Sequence, residues 1–393
     1  MRWQLFVALR YLTSPRKEKF ISLISMISIL GIAVGVSALM IVIAVMSGFD
    51  ADLKDKITGT NAHLEVISDY GMKPSGEILR KVLATDHVIA AAFFLNGQAL
   101  VRRDENVTGI IVKGIEPYNE VRVNKLGKYM KEGSLELGDG GIVIGSELAG
   151  KLRLKIGDRL SVISPAYVEG KDFTVCGIFT SGMYEYDMTL AYIGLDKAQD
   201  LLAVKGLVSG ISVRADDAMH IGEVKSRLQK ELGLPYAVRT WMDSNKNLLA
   251  ALKLEKTVMF IILTLIILVA CFNISASLIM TVLEKTKDIG ILKAIGATNS
   301  DIMAVFALQG GVIGLAGTIA GSVLGVGVSW LLKTYKFITL PKDIYYIDRL
   351  PVKLEIHDIT VIVLSAMVIS LLAAIYPSYK ASRLDPVEAL RYE

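Results

Sequence analysis

The chain of 393 residues holds two cysteines and four histidines. Cys176 falls in a long mixed segment and Cys271 in an apolar run, so they are not expected to meet, and no disulfide framework is read. His63, His87, His220 and His357 are scattered. They lack the H-x-x-x-H spacing or cysteine pairing that holds zinc, and no metal site is expected. No G-x-x-x-x-G-K-[ST] occurs, which excludes cradling ATP by the phosphate-loop mechanism. No G-x-S-x-G elbow occurs either. The acid pairs Asp104/Glu105 and Asp216/Asp217 would point apart on an extended strand and suit solvated loops. Nothing here points to catalysis.

Charge is the other absence. It is missing from Phe20–Phe49, Thr257–Leu283, Ile302–Leu332 and Ile359–Tyr379. Each run exceeds the roughly 20 residues a helix needs to cross a bilayer. One Lys or Asp at a span centre costs about 2.5–3.5 kcal/mol, so clean runs favour insertion. With 52% hydrophobic residues and a mean hydropathy of +0.49, the chain reads as an integral membrane protein. The first run is too long for a signal-peptide core, and no small-x-small cleavage site follows it. It is expected to remain as an anchor.

Basic residues gather at the span ends. Arg2, Arg10, Arg16, Lys17 and Lys19 precede the first, Lys285, Lys287 and Lys293 follow the second, and Lys380, Arg383 and Arg391 follow the fourth. The positive-inside rule then puts both termini and the short central connector in the cytoplasm. Clustering at span ends argues against nucleic-acid contacts.

The expected division is an interfacial helix (1–19), span one (20–49), an exported α+β domain on helical stalks (50–256) and span two (257–283). A cytoplasmic helix (284–301), span three (302–332), an outer loop (333–358), span four (359–379) and a tail (380–393) follow. Strands are predicted at 62–68, 107–115, 141–144, 159–164, 173–179 and 210–214, and helices at 76–83, 146–152, 197–204 and 219–232. Asp50–Thr58 and Trp241–Glu255 read as stalk helices, and a break near Gly133–Gly141 is expected to divide two lobes. Gly31 and Gly35 in span one, and Gly310, Gly314, Gly317, Gly321 and Gly325 in span three, predict close helix packing, with a dimer contact as the alternative. Asn273 and Gln309 are expected to hydrogen-bond between helices.

The connector Glu284–Ala297, EKTKDIGILKAIGA, is patterned as a helix. Ile289, Leu292 and Ile295 recur at three-residue spacing, among Glu284, Lys285, Lys287, Asp288 and Lys293. Gly296 is a stop signal, and Thr298, Asn299 and Ser300 offer a cap for the next span. A solvated connector and a docking helix presenting its Ile/Leu side both fit the spacing.

EKTKDIGILKAIGAT at Glu284–Thr298 and YPSYKASRLDPVEALR at Tyr376–Arg391 resemble the permease group that includes FtsX and MacB. Trp241–Lys256, YYIDRLPV at Tyr345–Val352 and SGMYEYD at Ser181–Asp187 narrow the resemblance to lipoprotein-releasing ABC transporter permeases of the Lol type. The likeness covers essentially the whole chain. It implies a dimer with a second permease subunit, and two copies of a separate cytoplasmic ATPase that carries the ATP and Mg. The coupling helix then maps onto Glu284–Ala297, and no cofactor is expected on this chain. The implied cargo is a lipoprotein drawn from the outer leaflet of the bacterial inner membrane. Its acyl chains would meet the outer halves of spans one and two, where Met40, Met46, Phe49, Met259 and Phe260 suit irregular apolar cargo. A hairpin hook captures a periplasmic carrier in one subunit type of this family. The matching connection here, Pro165–Gly170, is too short to project, so carrier binding is left open. MacB-like mechanotransmission and an FtsX-like signalling scaffold are the alternatives.

Overall fold

The computed structural model describes residues 2–13, 19–335 and 350–384. Most of Tyr345–Val352 and the end of Tyr376–Arg391 lie outside them. Two compact units are present, one built largely from residues 1–50, 252–338 and 350–393 and the other from 51–251.

Helix α1 (Arg2–Thr13) buries Ala8 and leaves Trp3, Leu5, Phe6 and Leu9 exposed. Helix α2 (Lys19–Thr60) has 42 residues. At about 1.5 Å per residue it is roughly twice the hydrocarbon thickness of a bilayer, and the polar stretch from Asp50 onward makes up part of the excess.

The α+β unit runs β1 (Leu64–Met72), α3 (Gly76–Ala84), β2 (Val88–Arg103), β3 (Asn106–Ile115), α4 (Pro117–Val123), α5 (Leu126–Tyr129), β4 (Met130–Gly133), β5 (Gly141–Gly145) and α6 (Ser146–Leu152). It continues with β6 (Arg159–Ser164), β7 (Tyr167–Phe179), α7 (Tyr184–Thr189), β8 (Leu190–Gly194), α8 (Leu195–Leu201), β9 (Val208–Ala215), α9 (Ile221–Leu232), β10 (Ala237–Thr240) and α10 (Trp241–Ser244). The sheet order is β10-β1-β9-β2-β3-β8-β5-β7-β4, and β6 pairs with both β2 and β7. Those two pairings close β2, β3, β8, β5, β7 and β6 into a ring. Closure removes the exposed edges that an open sheet would leave. Val101, Val112, Ile142, Ile144, Val162 and Ile193 are buried in its core. Strand β4 pairs with β7 on the ring, and β10, β1, β9 and the first half of β2 form an open sheet. Its core packs Leu64, Val66, Ile211 and Val213 with Val82 of α3 and Val224 and Leu228 of α9.

Strand β2 joins the two parts. Its first half pairs with β9 and its second half with β3. Sequence patterning misses this strand because six consecutive residues, Ala90–Leu95, are buried, which erases the alternation of a one-sided strand. The expected lobe boundary near Gly133–Gly141 is corrected: β4 before it and β5 after it both pair with β7. Positive φ at Gly133, Gly138 and Gly140 makes this stretch a tight turn system within one body.

Helix α11 (Lys246–Glu284) follows α10 after Asn245, so Trp241–Glu255 is not one helix. A capping box of Thr240 and Asp243 starts the short piece. Then come α12 (Thr286–Ala294), α13 (Asn299–Tyr335) and α14 (Ile356–Ser382). Helices α2, α11, α13 and α14 are each long and apolar enough to cross a membrane.

The glycines of α13 form two contact strips. Gly317, Gly321 and Gly325 lie against Ile32, Ala33, Val36 and Met40 of α2, while Gly310 and Gly314 lie against Ala374 and Ser370 of α14. Small residues let helix backbones approach where no water drives association. Gly31 and Gly35 face Asn273 and Ile266 of α11. The Ser28 hydroxyl donates to Asn273 Oδ1 at 3.0 Å, and that of Ser275 to the Ala373 carbonyl at 2.8 Å. Gln309 differs from the expectation. It is fully buried, and its amide has no partner among the described residues.

Candidate functional site: the central helix and the apolar spans

Helix α12 is a short helix between two apolar spans. Gly296 ends it with φ +110°, a conformation that costs a side-chain-bearing residue dearly. Thr298 and Asp301 then cap α13 reciprocally: the Asp301 N–H donates to Thr298 Oγ1 at 3.2 Å, and the Thr298 N–H to Asp301 Oδ2 at 3.0 Å. Asp301 also accepts from the Gln4 amide of α1 at 2.9 Å.

The apolar stripe faces inward. Ile289 is 1% exposed and packs with Val282, Ile302, Phe306 and Ala381, and half-buried Leu292 joins the same cluster. The expectation that Ile289 and Leu292 point at a soluble partner is therefore corrected. They seat α12 on its own bundle. Lys293 helps, because its Nζ donates to the carbonyls of Ser382 and Leu384 at 2.7 Å each, capping the end of α14. Lys285 is buried 5.2 Å from the Tyr11 ring and 3.5 Å from Asp288.

Ile295 is 80% exposed, and Glu284 and Lys287 are exposed too. Ile291, 48% exposed, joins them. Three-residue spacing passes over Ile291, because it shows that a helix is amphipathic and not which side its neighbours cover. The outward surface is thus mixed, with two isoleucines among charges.

The five residues chosen for acyl contact have different surroundings. Met40 is fully buried against Gly325 of α13, so its side chain meets protein within a single chain. Met46, Phe49 and Met259 are half-buried. Phe260 lies in α11, and its side chain falls outside the described residues. Toward the N-terminus of α2 from Met40, an apolar cleft of about 40 Å³ opens between α2, α11 and α14, walled by Ile32, Val36, Leu39, Ile266, Ile274 and Ile362. Ser365 and Ser370 are the polar side chains of an otherwise apolar lining.

The connection that matches the family's hook is shorter still than the sequence suggests. Ser164 pairs with Tyr167, leaving only Pro165 and Ala166 in the turn, and residues 167–170 belong to β7. A two-residue hairpin cannot project.

The model described as the MacB-like periplasmic core domain matches residues 25–231, and that described as the FtsX-like permease C-terminal matches residues 260–386. The lipoprotein-releasing system transmembrane protein LolC of Xylella fastidiosa is 37% identical over 407 residues, covering 98% of each chain. LolC of Neisseria meningitidis is 34% identical over 412 residues, covering 99% of each. LolE of Haemophilus influenzae is 27% identical over 418 residues, again covering 99% of each. With four membrane-crossing helices, an α+β unit between the first two, and end-to-end identity above 30%, the chain belongs to the family of lipoprotein-releasing system transmembrane proteins, within the FtsX-like permeases.

Proposed function

We propose that this chain is the permease subunit of an ABC transporter that extracts lipoproteins from the outer leaflet of the bacterial inner membrane and passes them towards the outer membrane. The observation that carries the reading is the end-to-end match to lipoprotein-releasing system proteins at up to 37% identity. A partner ATPase dimer binds ATP and Mg in the cytoplasm, and a second permease subunit, identical or homologous, completes the pore-side surface. Both termini and segment 284–301 lie in the cytoplasm, as the basic residues beside the spans suggest. The α+β unit lies outside, with the polar ends of α2 and α11 serving as stalks.

Energetics support a driven step. An acyl chain of about fifteen methylenes at ~0.8 kcal/mol each resists extraction by roughly 12 kcal/mol. Half-buried Met46, Phe49 and Met259 are the side chains best placed to meet it, with Phe260 as their neighbour in sequence. The ATPase meets the outward side of α12, where Glu284, Lys287, Ile291 and Ile295 are open.

Photocrosslinkers placed one at a time at Met46, at Phe49 and in the α+β unit of the reconstituted complex are the test. Crosslinks to triacylated lipoprotein support extraction. Crosslinks confined to the α+β unit would replace it with mechanotransmission of the MacB kind, in which cargo never enters the spans.

A further inference from the structure

We propose that His87, Asp216 and His220 form a binding site for a zinc-type divalent ion at one end of the open sheet of the α+β unit. Sequence spacing hides the site, because the three ligands come from two junctions far apart in the chain. His87 is the last residue of the α3–β2 turn, and Asp216 and His220 lie between β9 and α9. Pairing of β2 with β9 brings the junctions together, with Val88 opposite Ala215.

The three side chains converge. Nδ1 of His87 is 2.8 Å from Asp216 Oδ2, and Nδ1 of His220 is 2.9 Å from Asp216 Oδ1. The two imidazoles stack with centroids 3.8 Å apart, and one candidate ligand atom from each of the three residues lies within 4.8 Å of the others. A tetrahedral ion with bonds of ~2.0–2.1 Å holds neighbouring ligand atoms roughly 3.3 Å apart. The two histidine–carboxylate spacings are therefore within about half an ångström of that geometry, and the two imidazoles, with ligand atoms no more than 4.8 Å apart, close on an ion by side-chain rotation. Two imidazoles and one carboxylate are the donor types zinc and its neighbours prefer, whereas calcium and magnesium take oxygen.

The backbone holds the ligands in place. The Asp216 N–H donates to the His87 carbonyl at 2.9 Å. Asp217 Oδ1 accepts from the Met219 N–H at 3.0 Å, fixing the turn that delivers His220. His87 sits at φ +67°, a left-handed conformation that histidine, asparagine and aspartate adopt more readily than other residues with side chains. Arg227, which is held by Asp86 and Glu223, is occupied beside the site. The ligands are between a third and two-fifths exposed, so solvent completes the coordination. An ion there would tie the start of β2 to the start of α9 and clamp the open sheet at the end where no barrel closes it.

The test is metal titration of the full-length chain in detergent. Competition against a chromophoric chelator measures Zn²⁺ affinity, and visible absorption of added Co²⁺ reports nitrogen and oxygen coordination. One equivalent is expected, with Asp216→Asn and His220→Gln each weakening binding at least tenfold. His87→Asn, which keeps a residue tolerant of positive φ, gives the same loss without disturbing the turn. Zn²⁺ should also raise the thermal midpoint of the parent chain and leave that of His220→Gln unchanged. No bound equivalent, or an affinity that shifts less than threefold in folded Asp216→Asn and His87→Asn, would overturn the site and leave an ordinary surface histidine–carboxylate cluster.

Discussion

Asp187 closes on Ser181. Its Oδ1 accepts both the N–H and the hydroxyl of Ser181 at 2.7 Å, and its Oδ2 accepts the N–H of Gly182 at 3.2 Å. The SGMYEYD stretch is therefore a turn running into α7 and tied shut by its last residue, which is 2% exposed. Burial pushes the Asp187 carboxyl above the usual range, while the three donated bonds pull against that. Replacing it by alanine strands buried donors, so Asp187→Ala is expected to cost about 2–4 kcal/mol. Chemical denaturation of the detergent-solubilised chain measures this. Asp139→Ala removes a fully exposed carboxylate that pairs with Lys197, and should leave the transition where it was.

On the proposed reading, helix α12 has a seating side and a docking side. Ile295→Asp and Ile291→Asp place a charge on the open side and are expected to leave the permease folded while reducing the ATPase that co-purifies with it. Ile289→Asp buries an unpaired carboxylate and should lower the yield of folded chain instead. Size-exclusion profiles and ATPase-to-permease ratios distinguish the two classes. Equal ATPase retention in all three would remove α12 from the docking surface.

How much of this was legible beforehand varies with what the residues pack against. Ser146–Leu152 and Arg159–Ser164 appear at the bounds their patterns predict, because each has one wet side and one dry side. Strand β2 was not legible, since its middle is dry on both sides. The Ile289–Leu292 stripe was read correctly as apolar and wrongly as outward, since periodicity carries no label for the neighbour that covers it. The meeting of His87 with His220 depends on strand pairing over more than a hundred residues, which no local pattern encodes. Asn273 showed its hydrogen bond by chemistry alone, whereas Gln309 did not.

The α13 strip predicts a steric limit. A Cβ on Gly321 would lie 2.6 Å from the Ala33 carbonyl oxygen and 2.8 Å from Val36 Cβ. Neither neighbour can swing away, since one is helix backbone and the other is branched at that atom. Gly321→Val is therefore expected to cost about 1–3 kcal/mol or more through overpacking. Gly327→Val, where nothing lies within 4 Å, serves as control. Thermal aggregation midpoints in detergent report the difference, and equal midpoints would mean that α2 and α13 pack loosely.

His63 carries a pH dependence whose sign follows from its surroundings. Burial holds its pKa below the ordinary 6.5, the Arg214 guanidinium pushes the same way, and a hydrogen bond with the backbone of Ala215 resists both. The folded state therefore favours the neutral ring, while the unfolded chain takes up a proton near 6.5. Stability from this residue is complete above that value and is lost as pH falls through 6.5 towards the lower folded pKa. His220 has the opposite sense, because its bond to Asp216 raises its pKa; its contribution is complete below 6.5 and fades as pH rises through the folded value. A bare pH profile mixes the two, so the variant comparison is what isolates His63. His63→Gln removes the titration and leaves His220 in place. Between about pH 7.5 and 5, the midpoint of the parent chain should fall relative to that of His63→Gln. Parallel profiles would show that the His63 ring takes up its proton in the fold as readily as it does in the unfolded chain.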